Sequence, residues 1–271
     1  MKNLSMYCLT MRNADFNIIK SLEYFPVGLG DKIVSKDFLR DNSLDNISSK
    51  NYFYGEYTFH YWLWKNALEK INDGWIGFCQ YRKFWIKKDV SLKIVDFDTF
   101  NKNILKTISN ELDNYESIIG VPLYTNQFKL TKFIKKNLLT ILSNPSFLFN
   151  KNKRNLKFHF DMMHGKGNLE KAINLLDEKE KDDFMKFMNT EVSFNPHNMF
   201  ICKNKKILKS YYESVFPWLE RCEKEFGFDL QGYGLKRIYA FLAERYMSYW
   251  FKKYTNFATI PILFKDISDF Y

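Results

Sequence analysis

Trp75-Ile76-Gly77-Phe78-Cys79-Gln80 runs directly into Tyr81-Arg82-Lys83. The turn Asn72-Asp73-Gly74 precedes it, and an apolar run starting at such a turn reads as a central strand buried on both faces. The strand ends in two cations. Before it stand a polar loop, Asp41-Asn42-Ser43-Leu44-Asp45-Asn46-Ile47-Ser48-Ser49-Lys50-Asn51, and an aromatic helix containing Tyr61-Trp62-Leu63-Trp64-Lys65-Asn66. A hydrogen-bonding loop, a buried helix and a strand ending in cations are the parts expected where an α/β sheet holds an anionic ligand at its carboxyl edge.

Working outward, 271 residues with 46% hydrophobic and 18% aromatic content provide enough apolar material for a globular core and exclude a disordered chain. Lys and Arg number 41 against 31 Asp and Glu, a net charge of +10 that favours an anionic partner. Much of that charge is scattered Lys in a chain rich in Asn, Ile and Phe, which weakens the inference. Cys8, Cys79, Cys202 and Cys222 stand far apart without a Cys-x-x-Cys pair and read as buried thiols of a reducing cytoplasm. The first ten residues lack a signal-peptide pattern, and no run reaches the ~18 to 20 apolar residues of a membrane span.

In chain order, Leu4 to Leu9 reads as the first strand, with Thr10 to Asn13 as the loop at its carboxyl end, a position that commonly touches a base or ribose. Gly28 and Gly30 read as turn glycines, since no complete glycine-rich phosphate motif accompanies them. Glu56 and His60 lie one turn apart on the aromatic helix. Glu56 suits either sugar hydroxyls or the backbone of the polar loop, and His60 reads as a core histidine. Asp45, Asn46, Lys50 and Asn51 suit loop-locking and substrate equally. Asp96-Phe97-Asp98 precedes an amphipathic helix with Phe100, Ile104, Leu105, Ile108 and Leu112. One Asp is then the N-cap, and a divalent metal, Mn²⁺ or Mg²⁺, on Asp96 and Asp98 is the alternative; no cofactor is otherwise called for. Residues 129–143 read as a basic amphipathic segment that suits an anionic bilayer surface or plain solvent. Residues 144–165 read as irregular, and Glu191 to Asn198 leads into a strand from Met199 to Cys202. Lys205 to Phe226 and Tyr233 to Tyr254 read as two long helices.

The motifs Asp-Asn-x-x-Asp-Asn-Ile-Ser-x-Lys-Asn, Glu56, Tyr-Trp-x-Trp-Lys-Asn and Ile-Gly-Phe-Cys-Gln-Tyr-Arg-Lys, with Asn198-Met199-Phe200-Ile201 and Phe241-Leu242-Ala243-Glu244-Arg245 further on, resemble a bacterial family of capsule and lipopolysaccharide glycosyltransferase-like proteins. Order and spacing match from about residue 20 to residue 255. The resemblance implies an α/β, GT-A-like Rossmann-type mixed sheet flanked by helices with a helical C-terminal part. It implies one domain, with 1–125 as the nucleotide-sugar half and 126–271 as the acceptor side. The implied activity is transfer of a sugar, a furanose in some relatives, from a nucleotide sugar, UDP-linked by preference, to a capsular polysaccharide, lipopolysaccharide or lipid-linked glycan acceptor.

Where GT-A-like enzymes carry a metal-binding Asp-x-Asp, this chain has Gln80-Tyr81-Arg82-Lys83, so cations replace the metal: Arg82 grips the diphosphate and Lys83 adds a point charge, with pairing of Arg82 to a structural acid as the alternative. Gln80 stands where the family usually has His, and Thr10-Met11-Arg12 where it often has His-Lys. Asp161 or His164 is the expected general base, with plain capping and surface roles as the alternative. By resemblance Asn198 lies on the acceptor side, and Glu244 and Arg245 act as a buried brace or as substrate contacts. The resulting expectation is a cytoplasmic enzyme at the inner face of the membrane. The competing class is a basic nucleic-acid-binding protein, which would need exposed aromatics where this chain spaces them for a helix core.

Overall fold

Every second residue of the central strands is apolar on each face, which commits them to a sheet covered on both sides. The computed structural model, which describes residues 1–30, 35–87, 96–127 and 154–271, has that sheet. Its strands are β1 (Lys2–Thr10), β2 (Phe25–Gly28), β3 (Leu39–Arg40), β4 (Trp75–Gln80), β5 (Lys83–Trp85), β6 (Thr107–Ile108), β7 (Ser117–Gly120), β10 (Phe200–Cys202), β11 (Phe257–Ile260) and β12 (Ile262–Phe264), while β8 (Leu123–Tyr124) and β9 (Ser193–Phe194) pair separately. The order β11-β7-β10-β4-β1-β2-β3 is mixed: β1 runs parallel to β2 and β4, and β10 antiparallel to β4 and β7. This is the expected mixed α/β fold, with helices dominating its C-terminal part.

Alternation divides the core in two. Tyr7 and Leu9 of β1, Ile76 and Phe78 of β4 and Phe200 and Cys202 of β10 face the helices Tyr57–Trp62, Lys205–Phe226 and Ile238–Tyr254. Met6, Cys8, Trp75, Cys79 and Ile201 face a smaller cluster with Trp85, Phe100 and Ile104. Gly77 is the close approach on that second face, where a Cβ would lie 2.9 Å from Met6 Cε. All four cysteines are free and buried.

Three segments differ from the expectation. The helix capped by Asp96 stops at Asn103, because Ile104 pairs in a bridge with Ile86, Leu105 N–H bonds Trp85 O and Ile108 joins β6 against β1. Its later apolar residues are buried by strand pairing instead of helix packing. Residues 156–164, expected to be irregular, form a helix whose N-cap Asn155 accepts the N–H of Phe158 at 2.9 Å. The last expected helix is broken at Arg237 into Tyr233–Lys236 and Ile238–Tyr254. The basic segment 129–143 lies outside the described residues.

His60 shows how closely this core is filled. Fully buried, it lies 4.4 Å from the ring of Phe78 and stacks on Phe200 at 5.2 Å, with Nδ1 2.7 Å from the Tyr212 hydroxyl. Burial pushes its pKa down to about 3. The unfolded chain takes up this proton near pH 6.5, whereas the folded chain refuses it until about 3. Stability contributed by neutral His60 is therefore complete above about pH 6.5 and lost as pH falls through that window, by up to ~1.4 kcal/mol per pH unit. Urea unfolding at pH 7, 6, 5 and 4 is expected to show this loss, and His60→Gln to have a shallower pH slope than the wild type.

Candidate active site

The sheet order reverses between β1 and β4: β2 and β3 continue on one side of β1, and β4 lies on the other. Such a switch point leaves a crevice at the carboxyl ends of the two strands. A cavity of about 340 Å³ opens there, lined by Thr10 from β1, Gln80 and Tyr81 at the end of β4, and Lys83 of β5. Asn51, Gly55 and Glu56 close one side. The loop His197–Asn198 and the residues around the helix break, Tyr233, Arg237, Phe241 and Glu244, complete it.

Glu56 is the junction. Its side chain is largely buried; Oε1 accepts from Asn198 Nδ2 at 3.0 Å and from Gln80 Nε2 at 3.4 Å, while Oε2 lies 3.6 Å from the Arg237 guanidinium. Gln80 in turn donates to His197 O at 3.0 Å and accepts from Lys83 Nζ at 3.0 Å. Glu244 accepts the His197 N–H at 2.6 Å and pairs with the buried guanidinium of Arg245, which lies over the Phe194 ring. Both His197 (φ 81) and Asn198 (φ 52) are left-handed, a conformation that costs a non-glycine residue roughly 1–2 kcal/mol. Their hydrogen bonds to Glu244, Gln80 and Glu56 hold that strain in place.

Charge in the cavity is mixed. Burial lowers the pKa of the Lys83 amine, and the neighbouring Glu56 and Glu244 carboxylates oppose that shift. Burial and the Lys83 charge push His197 down to about 3, so its imidazole is neutral at physiological pH. Asn198 is 5% exposed, and its Oδ1 has no partner among the described residues, leaving an acceptor in the cavity wall.

The residues singled out in the sequence divide between this cavity and its surroundings. Thr10, Asn51, Glu56, Gln80, Tyr81, Lys83, Asn198 and Glu244 line it. Arg245 sits behind Glu244. Asp45 accepts from the Tyr61 hydroxyl, Asn46 from Ser48, and Lys50 pairs with Glu223 at 2.6 Å, all outside the lining. Asp161 pairs with Lys157 at 2.6 Å. His164 donates from Nδ1 to Gly234 O and stacks on Phe241 at 4.1 Å, one layer behind the wall. Asp96 accepts the backbone N–H and the hydroxyl of Thr99 as a helix cap, and Asp98 lies in the first turn. Among the described residues no group of three or more His, Cys, Asp or Glu is placed to hold a metal ion.

Arg82 and Lys83 separate because Tyr81 and Arg82 form the two-residue turn of a hairpin in which Lys83 stands opposite Gln80. Cross-strand partners share a face, so Lys83 enters the cavity with Gln80. Arg82, 58% exposed, turns to Asp266 at 2.7 Å. The same carboxylate binds Arg12 at 2.7 Å, and both guanidiniums lie over Tyr81, at 4.8 and 4.3 Å. Arg12 also pairs with Asp15 at 3.0 Å, so two carboxylates offset the two guanidiniums of the rim.

Sequence reasoning missed His197, Tyr233 and Arg237. Gly232-Tyr233-Gly234 was the available signal, since two glycines weaken the start of a helix. Gly55, at φ +57, supplies the matching space: a Cβ there would lie 2.3 Å from Arg237 Nη2.

Residues 7–256 match the family described as domain of unknown function DUF4422, and the chain belongs to that family. No curated protein matches it. Among solved structures it is similar to the apo structure of WbbM, a bifunctional glycosyltransferase, with 20% identity and a TM-score of 0.68 over 97% of this chain and 45% of that one. The chain therefore spans less than half of WbbM, and the likeness is one of fold. The mannosyltransferase Ktr4p from S. cerevisiae overlaps 82% of this chain and 61% of its own at 12% identity and a TM-score of 0.31, too loose a likeness to argue from.

Gly55→Ala tests how the cavity wall is built. The arginine tip can swing away, so the positive-φ backbone, at φ 57 and ψ −134, sets the stability cost, about 1–3 kcal/mol by urea unfolding. The same swing takes Arg237 off Glu56, so Arg237→Ala is expected to cost less in the Gly55→Ala background than in the wild type; equal costs would mean that the two residues do not interact.

Proposed function

We propose that this chain transfers a glycosyl group from a nucleotide-sugar donor to a saccharide acceptor. One observation carries the reading: two cations, Lys83 and Arg237, and two carboxylates, Glu56 and Glu244, converge with amide side chains in one cavity at the switch point of the sheet. Cations there meet a diphosphate, and carboxylates and amides meet hydroxyls. The donor approaches from the β1 and β4 ends, within residues 1–125, with Arg237 reaching its diphosphate across the cavity, and the acceptor approaches from Asn198 and Tyr233, within 126–271.

In this reading the acceptor oxygen attacks the anomeric carbon while Glu56 takes its proton. The bonding pair leaves on the phosphate oxygen, where Lys83 and Arg237 stabilise the growing negative charge. Arg82 is engaged with Asp266 outside the lining, so Arg237 takes the guanidinium role. Glu56 is preferred to Asp161 and His164 as base because it lines the cavity. The finer assignment, a UDP-linked sugar delivered to a capsular or lipopolysaccharide chain at the inner face of the membrane, with a furanose among the candidate donors, rests on the motif resemblance. No described helix is long and apolar enough to cross a membrane. Against the nucleic-acid alternative, the rings of Tyr57, Phe59, Phe78, Tyr211 and Tyr212 are buried in the core.

Release of the nucleotide from a panel of nucleotide sugars, a nucleoside diphosphate from UDP-, GDP- and dTDP-linked donors and CMP from CMP-linked ones, with oligosaccharide acceptors, tests the reading. One donor class is expected to turn over, and Glu56→Gln to lower kcat by about 10²- to 10⁴-fold. Full activity in Glu56→Gln would remove Glu56 as base; no turnover of any donor by the wild type would remove the transferase.

A further inference from the structure

Two aromatic rings stand exposed beside the cavity in a protein that buries most of its others: Tyr233 is 70% exposed and Phe264 is 63% exposed. Aromatic side chains in the wall of a concave site are recurrent parts of ligand pockets. Tyr233 is itself part of the lining, with the Arg237 guanidinium 5.8 Å from its ring and Phe241 5.9 Å away edge-on. Phe241 stacks on buried His164, so Tyr233 has a rigid backing. Phe264 reaches the mouth by register: on β12 it stands opposite Lys83 of β5, and cross-strand partners project to the same face. Its ring meets that of cavity-lining His197 at 5.0 Å and 82°.

The cavity that Tyr233 lines also holds the Glu56 carboxylate and Asn198 Oδ1, the latter buried and without a partner among the described residues. Aromatic plates over carboxylate and amide groups suit a ligand with an apolar face and a rim of hydroxyls, which is the surface of a pyranose or furanose ring. A nucleobase also stacks, but in α/β sheets its usual place is the loop after the first strand, here Thr10 and Met11.

We infer that Tyr233 and Phe264 are the stacking platforms of an acceptor-saccharide subsite at the mouth of this cavity, and so determine which glycan is extended. This rests on the transferase reading and names its second substrate.

The test measures two ligands separately on the full chain: binding to an array of bacterial-type oligosaccharides, followed by titration of the best-bound one, and titration of UDP. Tyr233→Ala and Phe264→Ala are each expected to weaken the oligosaccharide by about three- to tenfold. Tyr233→Phe and Phe264→Tyr are expected to restore it, and Phe264→Ala to bind UDP as the wild type does. Unchanged oligosaccharide affinity in both alanine variants overturns the inference. So does a wild type that binds UDP but no oligosaccharide, and so does a loss confined to UDP, which would make the rings a base platform. A wild type that binds no oligosaccharide and none of UDP, GDP, CMP and dTDP overturns the transferase reading itself.

Discussion

A carboxylate taken out of water must be met by donors, and Glu56 is met from three directions: Gln80 at the end of β4, Asn198 ahead of β10 and Arg237 at the helix break. These residues come from distant parts of the chain, so satisfying one buried charge brings the sheet edge, a strained loop and the C-terminal helices to a single point. The left-handed pair His197–Asn198 and the glycine at position 55 make sense in this light. The first aims a backbone N–H at Glu244 and an amide at Glu56, and the second leaves room for an arginine tip.

The same constraint explains why two neighbouring cations part company. Around Tyr81–Arg82 the chain reverses, and alternation then sends Lys83 inward and Arg82 outward. Asp266 holds both Arg82 and Arg12, which lie over Tyr81, and Asp15 pairs with Arg12 as well, so two carboxylates offset the rim cations while the inner ones face a cavity whose other charges are carboxylates.

Much of the scaffold was legible in the sequence. The run Trp75–Gln80 and the helix Lys205–Phe226 fall where the apolar pattern puts them, because a doubly buried strand and a long amphipathic helix each have a strong local signature. The apolar residues from Ile104 to Leu112 fit a helical spacing as well, yet they are buried by pairing with Trp85, Ile86 and β1, partners that no local pattern specifies. Eight of the residues singled out from motifs reach the cavity lining. Arg237 was invisible for the opposite reason: its role depends on a helix break and on an absent side chain at position 55, and neither follows from the charge of an arginine in a helical run.

The central claim, that Lys83 and Arg237 and not the rim arginine receive an anionic ligand, is tested most directly by calorimetric titration of UDP into the wild type, Lys83→Met, Arg237→Met and Arg82→Met, with EDTA and with Mn²⁺. Charge-assisted hydrogen bonds of ~1.5–3 kcal/mol predict that Lys83→Met and Arg237→Met each weaken binding by roughly tenfold or more, with Arg82→Met close to the wild type. Loss of binding in Arg82→Met, with affinity kept in the other two, would contradict the account.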